Sequence, residues 1–98
     1  MKTQKEYIDI LTSHSDILRS EFGVRSLRIF GSVSRNEHKD ASDVDVCVDM
    51  EPKIFLLVRL KRFMSNLLGI PVDVVRMHSH MNPDLLKEIN HDGIYVFQ

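Results

Sequence analysis

Residues 43–49 alternate without a break, with Val44, Val46 and Val48 set against Asp43, Asp45, Cys47 and Asp49. On a strand, successive side chains point to opposite faces. The segment therefore reads as a strand with a valine face for the core and an opposite face bearing Asp43 and Asp45. Backbone positions at i and i+2 lie about 6.5–7 Å apart, so both carboxylates can converge on one hard cation. Strands are depleted in aspartate. Placing it beside valines here, and again at Asp73 within Pro71-Val72-Asp73-Val74-Val75, breaks a local rule in the way functional sites do. A calcium loop does not fit, because an EF-hand needs polar ligands at alternate positions and glycine at its sixth, where Val48 stands. From spacing alone, a solvated strand edge and a metal–phosphate site both remain open.

The valines need elements to cover them, and the rest of the chain supplies helices. Residues 4–22 carry Tyr7, Leu11, Leu18 and Phe22 at spacings of four and seven, which predicts an amphipathic helix closed by Gly23. His14 falls on its apolar stripe and reads as a packed residue rather than a ligand. A strand over 25–30 runs into Gly31-Ser32. Residues 33–42 read as a helical turn and a loop. A second helix is expected from Pro52 to Leu68 on Leu56, Leu60, Phe63 and Leu67, with Lys53, Arg59, Lys61 and Arg62 along its polar side. That side reads as solvated, with a basic rim near phosphate as the sharper alternative. Ile70–Arg76 form a third strand, and His78-Ser79-His80 a loop without a metal role. Asn82 with Pro83 starts a third helix that Gly93 ends, and residues 94–97 close as a short strand. The order predicts one α/β (α+β) domain over residues 1–98. Its helices cover one face of a small mixed sheet, and the other face stays open and carries the carboxylates.

Net charge is −1, so no global field argues for direct nucleic-acid binding. No run approaches the roughly 20 apolar residues of a membrane span, and Met1–Glu6 lack the apolar core of a signal peptide. One cysteine, Cys47, cannot form an internal disulfide, which suits the cytoplasm. It reads as a small buried thiol. At 98 residues the core is small, and a partner or self-association could supplement it.

A Gly31-Ser32 turn lets backbone amides approach a polyphosphate with no Cβ in the way. Gly31→Val is accordingly expected to impair nucleotide binding more than folding. Free N–H groups of a turn beginning at Val33 would add to an anion site. Ser32 can donate its hydroxyl, and Arg35 is placed to meet phosphate as a fork. Asp43 and Asp45 would hold Mg²⁺ against a nucleoside triphosphate. Asp73 would ligate a second ion or accept the proton of an acceptor hydroxyl.

Gly31-Ser32 with Arg35, then Ser42-Asp43-Val44-Asp45, then Asp73, resemble the minimal nucleotidyltransferase family, the small branch of the DNA polymerase β-like superfamily. The likeness covers nearly the whole chain, and it extends to the antitoxin half of HEPN–MNT toxin–antitoxin pairs. It implies the polymerase β-like fold and Mg²⁺-dependent transfer of AMP from ATP to a tyrosine of a HEPN toxin. Gly31 and Ser32 match the family's nucleotide-binding turn, and Asp43, Asp45 and Asp73 its metal-binding triad, which holds two ions. Where the family often has glycine after the arginine, this chain has Asn36, a residue that tolerates left-handed backbone. Two other readings follow. One is an antitoxin that inhibits by contact alone. The other is a small-molecule nucleotidyltransferase, which would need an acceptor domain not visible in this sequence.

Overall fold

The computed structural model describes all of residues 1–98. The elements are α1 (Gln4–Ser13), α2 (Ser15–Phe22), β1 (Ser26–Phe30), β2 (Val44–Asp49), α3 (Ile54–Leu68), β3 (Val72–Arg76), α4 (Pro83–Asp92) and β4 (Ile94–Phe97). The sheet order is β3-β2-β1-β4. β1 runs antiparallel to β2 and β4, and β2 runs parallel to β3, so the sheet is mixed as expected. No helix is long and apolar enough to cross a membrane.

The expected first helix is divided at Ser13–His14. The Ser13 hydroxyl donates to the Ile10 carbonyl at 2.7 Å, and His14 Nδ1 lies 2.8 Å from the same oxygen. The His14 N–H bonds to the Leu11 carbonyl, a tighter step than the helical ladder. Local side-chain bonds of this kind compete with the ladder and bend helices. The break lets Tyr7 and Leu11 of α1, and Leu18 and Phe22 of α2, all reach the core. His14 packs edge-on to Phe63, with centroids 6.4 Å apart. α3 begins at Ile54, two residues later than Pro52 suggests, because Lys53 holds extended backbone at φ −107°, ψ 107°.

Val44, Val46 and Val48 are fully buried with Leu27 and Ile29, under Leu60, Met64 and Leu68 of α3 and the buried residues of α1 and α2. Burying each of these side chains stabilises by about 1.5–3 kcal/mol. Three helices thus share the valine face. The fourth does not: Ile89 of α4 packs with Phe30 and Cys47 on the carboxylate face, flanked by Leu85. Phe30 and Cys47 make that half of the face too apolar to leave in water, and α4 covers it. The open part of the face is therefore narrowed to its Asp45–Asp73 end.

Candidate active site

Asp45 and Asp73 are direct register partners on the parallel pair β2 and β3. Neighbouring strands lie about 4.8 Å apart, and residues paired in register share a face, so the two carboxylates rise side by side. Asp43 stands just before β2 and is exposed. On the other flank of β2, Asp45 pairs with Phe30, the last residue of β1. The chain then turns at Gly31, which has φ +75°. A Cβ on Gly31 would collide with the Asp45 carboxylate, whose carbon would sit 3.2 Å from it. The turn therefore needs glycine on two counts, its left-handed backbone and the carboxylate packed against it.

The turn is secured from three sides. Within it, the Ser34 hydroxyl donates to the Gly31 carbonyl at 2.7 Å, and the Arg35 and Glu37 N–H groups bond back to the Gly31 and Ser32 carbonyls. From α1, the Gln4 side-chain amide donates to the Val33 and Ser34 carbonyls at 3.2 and 2.9 Å. Val33 anchors it below, fully buried in the main core. Asn36 stands at φ +58°, the left-handed conformation that asparagine tolerates. From α4 comes the third tether, through Arg35.

Arg35 does not stand free. Its Nε donates to Glu37 at 3.0 Å and its Nη1 to Asp92 at 2.6 Å, with Glu88 3.9 Å away. Glu88 and Asp92 are spaced i, i+4 on α4, one face of a helix. The spacing puts both on one side of the helix, and only the packing of α4 on the carboxylate face brings that side to the turn. The basic side of α3 contributes one residue to the carboxylates, Lys61, whose Nζ lies 3.9 Å from Asp73.

The electrostatics single out Asp45. Burial first, then the charges of Asp73, Asp43 and Glu88, push its pKa up to about 6, and Arg35 opposes the rise. Four carboxylates thus share one corner, with Lys61 and Arg35 as the cations beside them. A set made only of carboxylate oxygens suits a hard divalent cation, which would relieve the repulsion. As they stand, no three acidic, histidine or cysteine side chains are gathered closely enough to hold one ion. His78 accepts a bond from the His80 N–H within its own exposed loop. Cys47 is buried, and burial pushes its thiol pKa up. The protein's concave sites lie elsewhere. One of about 510 Å³ is lined by Lys2, Tyr7, Asp40 and Leu68, and one of about 350 Å³ by Phe22, Arg25 and Leu56. The carboxylates occupy an open shelf.

Residues 12–98 match the profile of the family described as Polymerase beta, Nucleotidyltransferase. A Methanocaldococcus jannaschii protein with a provisional protein adenylyltransferase name is 42% identical over 98 residues, covering 98% of this chain and all of the relative. The protein adenylyltransferase MntA of Thermococcus cleftensis is 40% identical over 98 residues, covering 98% of each chain. Among solved structures, one provisionally described as a minimal nucleotidyltransferase is 27% identical, with a TM-score of 0.76 over 95% of each chain. A tri-AMPylated Shewanella oneidensis HEPN toxin in complex with MNT antitoxin gives a TM-score of 0.68 at 18% identity, over 97% of this chain and 72% of that one. That last likeness speaks for the fold.

Proposed function

The chain belongs to the polymerase beta nucleotidyltransferase family, and we propose that it transfers AMP from ATP to a hydroxyl of a protein partner, as an antitoxin acting on a HEPN-type toxin. The observation that carries this reading is the pairing of Asp45 with Asp73 beside the Gly31 turn, on an open shelf where Asp73 and Asp43 are exposed. An open shelf suits an acceptor presented by another protein. The named relatives, adenylyltransferases at 40% identity or more across this chain's length, support the same class of acceptor.

In the proposed reaction the acceptor oxygen attacks the α-phosphorus, its bond to the bridging oxygen breaks, and pyrophosphate leaves. Gly31 and Ser32 would lie against the triphosphate, with Ser32 donating its hydroxyl and Arg35 its guanidinium. Asp43, Asp45 and Asp73 would hold Mg²⁺, which when bound neutralises the phosphate charge and polarises its oxygens. Asp73, with a side chain 57% exposed, is open to an incoming hydroxyl and, where it does not ligate an ion, would take its proton. A tyrosine hydroxyl, with pKa near 10, needs that removal at neutral pH. The cytoplasm is the proposed location.

Titration calorimetry with Mg-ATP tests the site. Wild type should bind, and Asp43→Asn with Asp45→Asn should lose the gain in affinity that Mg²⁺ brings. Equal Mg-ATP affinity in both proteins would remove the carboxylates from the nucleotide site.

A further inference from the structure

Arg35 is gripped at two separate nitrogens. Nε donates to Glu37 and Nη1 to Asp92, at 3.0 and 2.6 Å. A guanidinium carries five N–H donors in one rigid plane. Nη2 bonds to neither carboxylate. A carboxylate seated across Nη1 and Nη2 would close the fork to phosphate. Single contacts on Nε and Nη1 instead fix the plane and leave donors over.

We propose that Asp92, with Glu37, is a positioning residue for ATP, holding the Arg35 guanidinium in the orientation in which it meets the triphosphate. The proposal rests on the reading above that Arg35 contacts phosphate. An arginine side chain gives up much rotamer freedom when it settles into one geometry. Held at two points, Arg35 has given it up before the nucleotide arrives, and such preorganisation raises affinity without a new contact to the ligand. Asp92 is built for the role. Its side chain is 8% exposed, and it ends a helix pinned to the sheet by Ile89. Its other oxygen is held by His91 Nδ1 at 2.8 Å. Hydrogen bonds from His91 and Arg35 keep its pKa below the usual carboxylate range, so it stays ionised at neutral pH.

The test is a double-mutant cycle read as Mg-ATP affinity, on wild type, Arg35→Ala, Asp92→Asn, Glu37→Gln and the Arg35→Ala/Asp92→Asn pair. Arg35→Ala should weaken binding. Asp92→Asn should weaken it about fivefold in the wild-type background and not at all in the Arg35→Ala background. A purely structural contribution of Asp92 would persist there. Glu37→Gln changes a side chain 65% exposed, so folding does not depend on it, and it should shift affinity in the same direction as Asp92→Asn. Should Asp92→Asn fail to fold, the cycle of Glu37→Gln with Arg35→Ala decides in its place. Unchanged or tighter ATP binding in Asp92→Asn and Glu37→Gln, or equal weakening in both backgrounds, would overturn the positioning role alone. Normal ATP binding by Arg35→Ala would overturn the phosphate role of Arg35, and the proposal with it.

Discussion

The Asp45 carboxylate occupies the space that a side chain on Gly31 would need. No side chain can therefore be added to the turn without moving the carboxylate. Gly31→Ala should cost about 1–3 kcal/mol of stability, from its positive φ and from displacing Asp45. It should also weaken ATP binding. Thermal unfolding beside calorimetry checks both effects. To the expectation that Gly31→Val impairs nucleotide binding more than folding, this packing adds a folding cost, since any Cβ at this position is strained by the positive φ.

Asp45 has a pH signature with a definite sign. Its pKa is raised in the folded protein to about 6. A raised pKa means that its contribution to stability is fully present below the unfolded value near 3.9. The contribution is lost as pH rises through about 6. Asp45→Asn should therefore be more stable than wild type at pH 7.5, by about 1–2 kcal/mol after allowance for solvent screening. The two should converge near pH 4. Denaturant titrations across that range check it, and a mutant less stable at pH 7.5 would contradict the crowding of carboxylates.

The same repulsion predicts a response to cations. Mg²⁺ should raise the melting temperature of the wild-type protein through binding to the native state. It should leave Asp43→Asn/Asp45→Asn unmoved. Thermal shifts over a Mg²⁺ series, at constant ionic strength, separate binding from screening.

Leu11 links α1 to the sheet and is fully buried in the main core. Leu11→Ala should destabilise the protein by about 2–5 kcal/mol. Chemical denaturation measures it, and a cost under about 1 kcal/mol would mean that the divided helix packs more loosely than its burial implies.

The strands and the site's carboxylates were legible because their signals are local. The Val44–Val46–Val48 alternation, Gly23 and Gly69 as helix ends, and Asn82-Pro83 as a helix start each act within a few residues. Asn36 too was readable, as a residue able to hold left-handed backbone, and it does so. What escaped was one local competition that periodicity does not register and one set of partners distant in sequence. The division of the first helix turns on Ser13 and His14 competing for the Ile10 carbonyl, which periodicity cannot reveal. The position of α4 on the carboxylate face follows from Ile89 meeting Phe30 and Cys47 across more than forty residues. With α4 come Glu88 and Asp92 and their hold on Arg35. Pattern alone places a helix against a sheet without saying which face it takes.

Intact-mass analysis of a HEPN-type partner after incubation with this protein and Mg-ATP tests the central claim most directly. The account predicts that the partner gains the mass of one or more AMP units on a tyrosine, with pyrophosphate released. Asp45→Asn should leave the partner unmodified. A partner that stays unmodified beside the wild-type protein, yet is fully inhibited by it, would contradict AMP transfer and assign inhibition to contact alone.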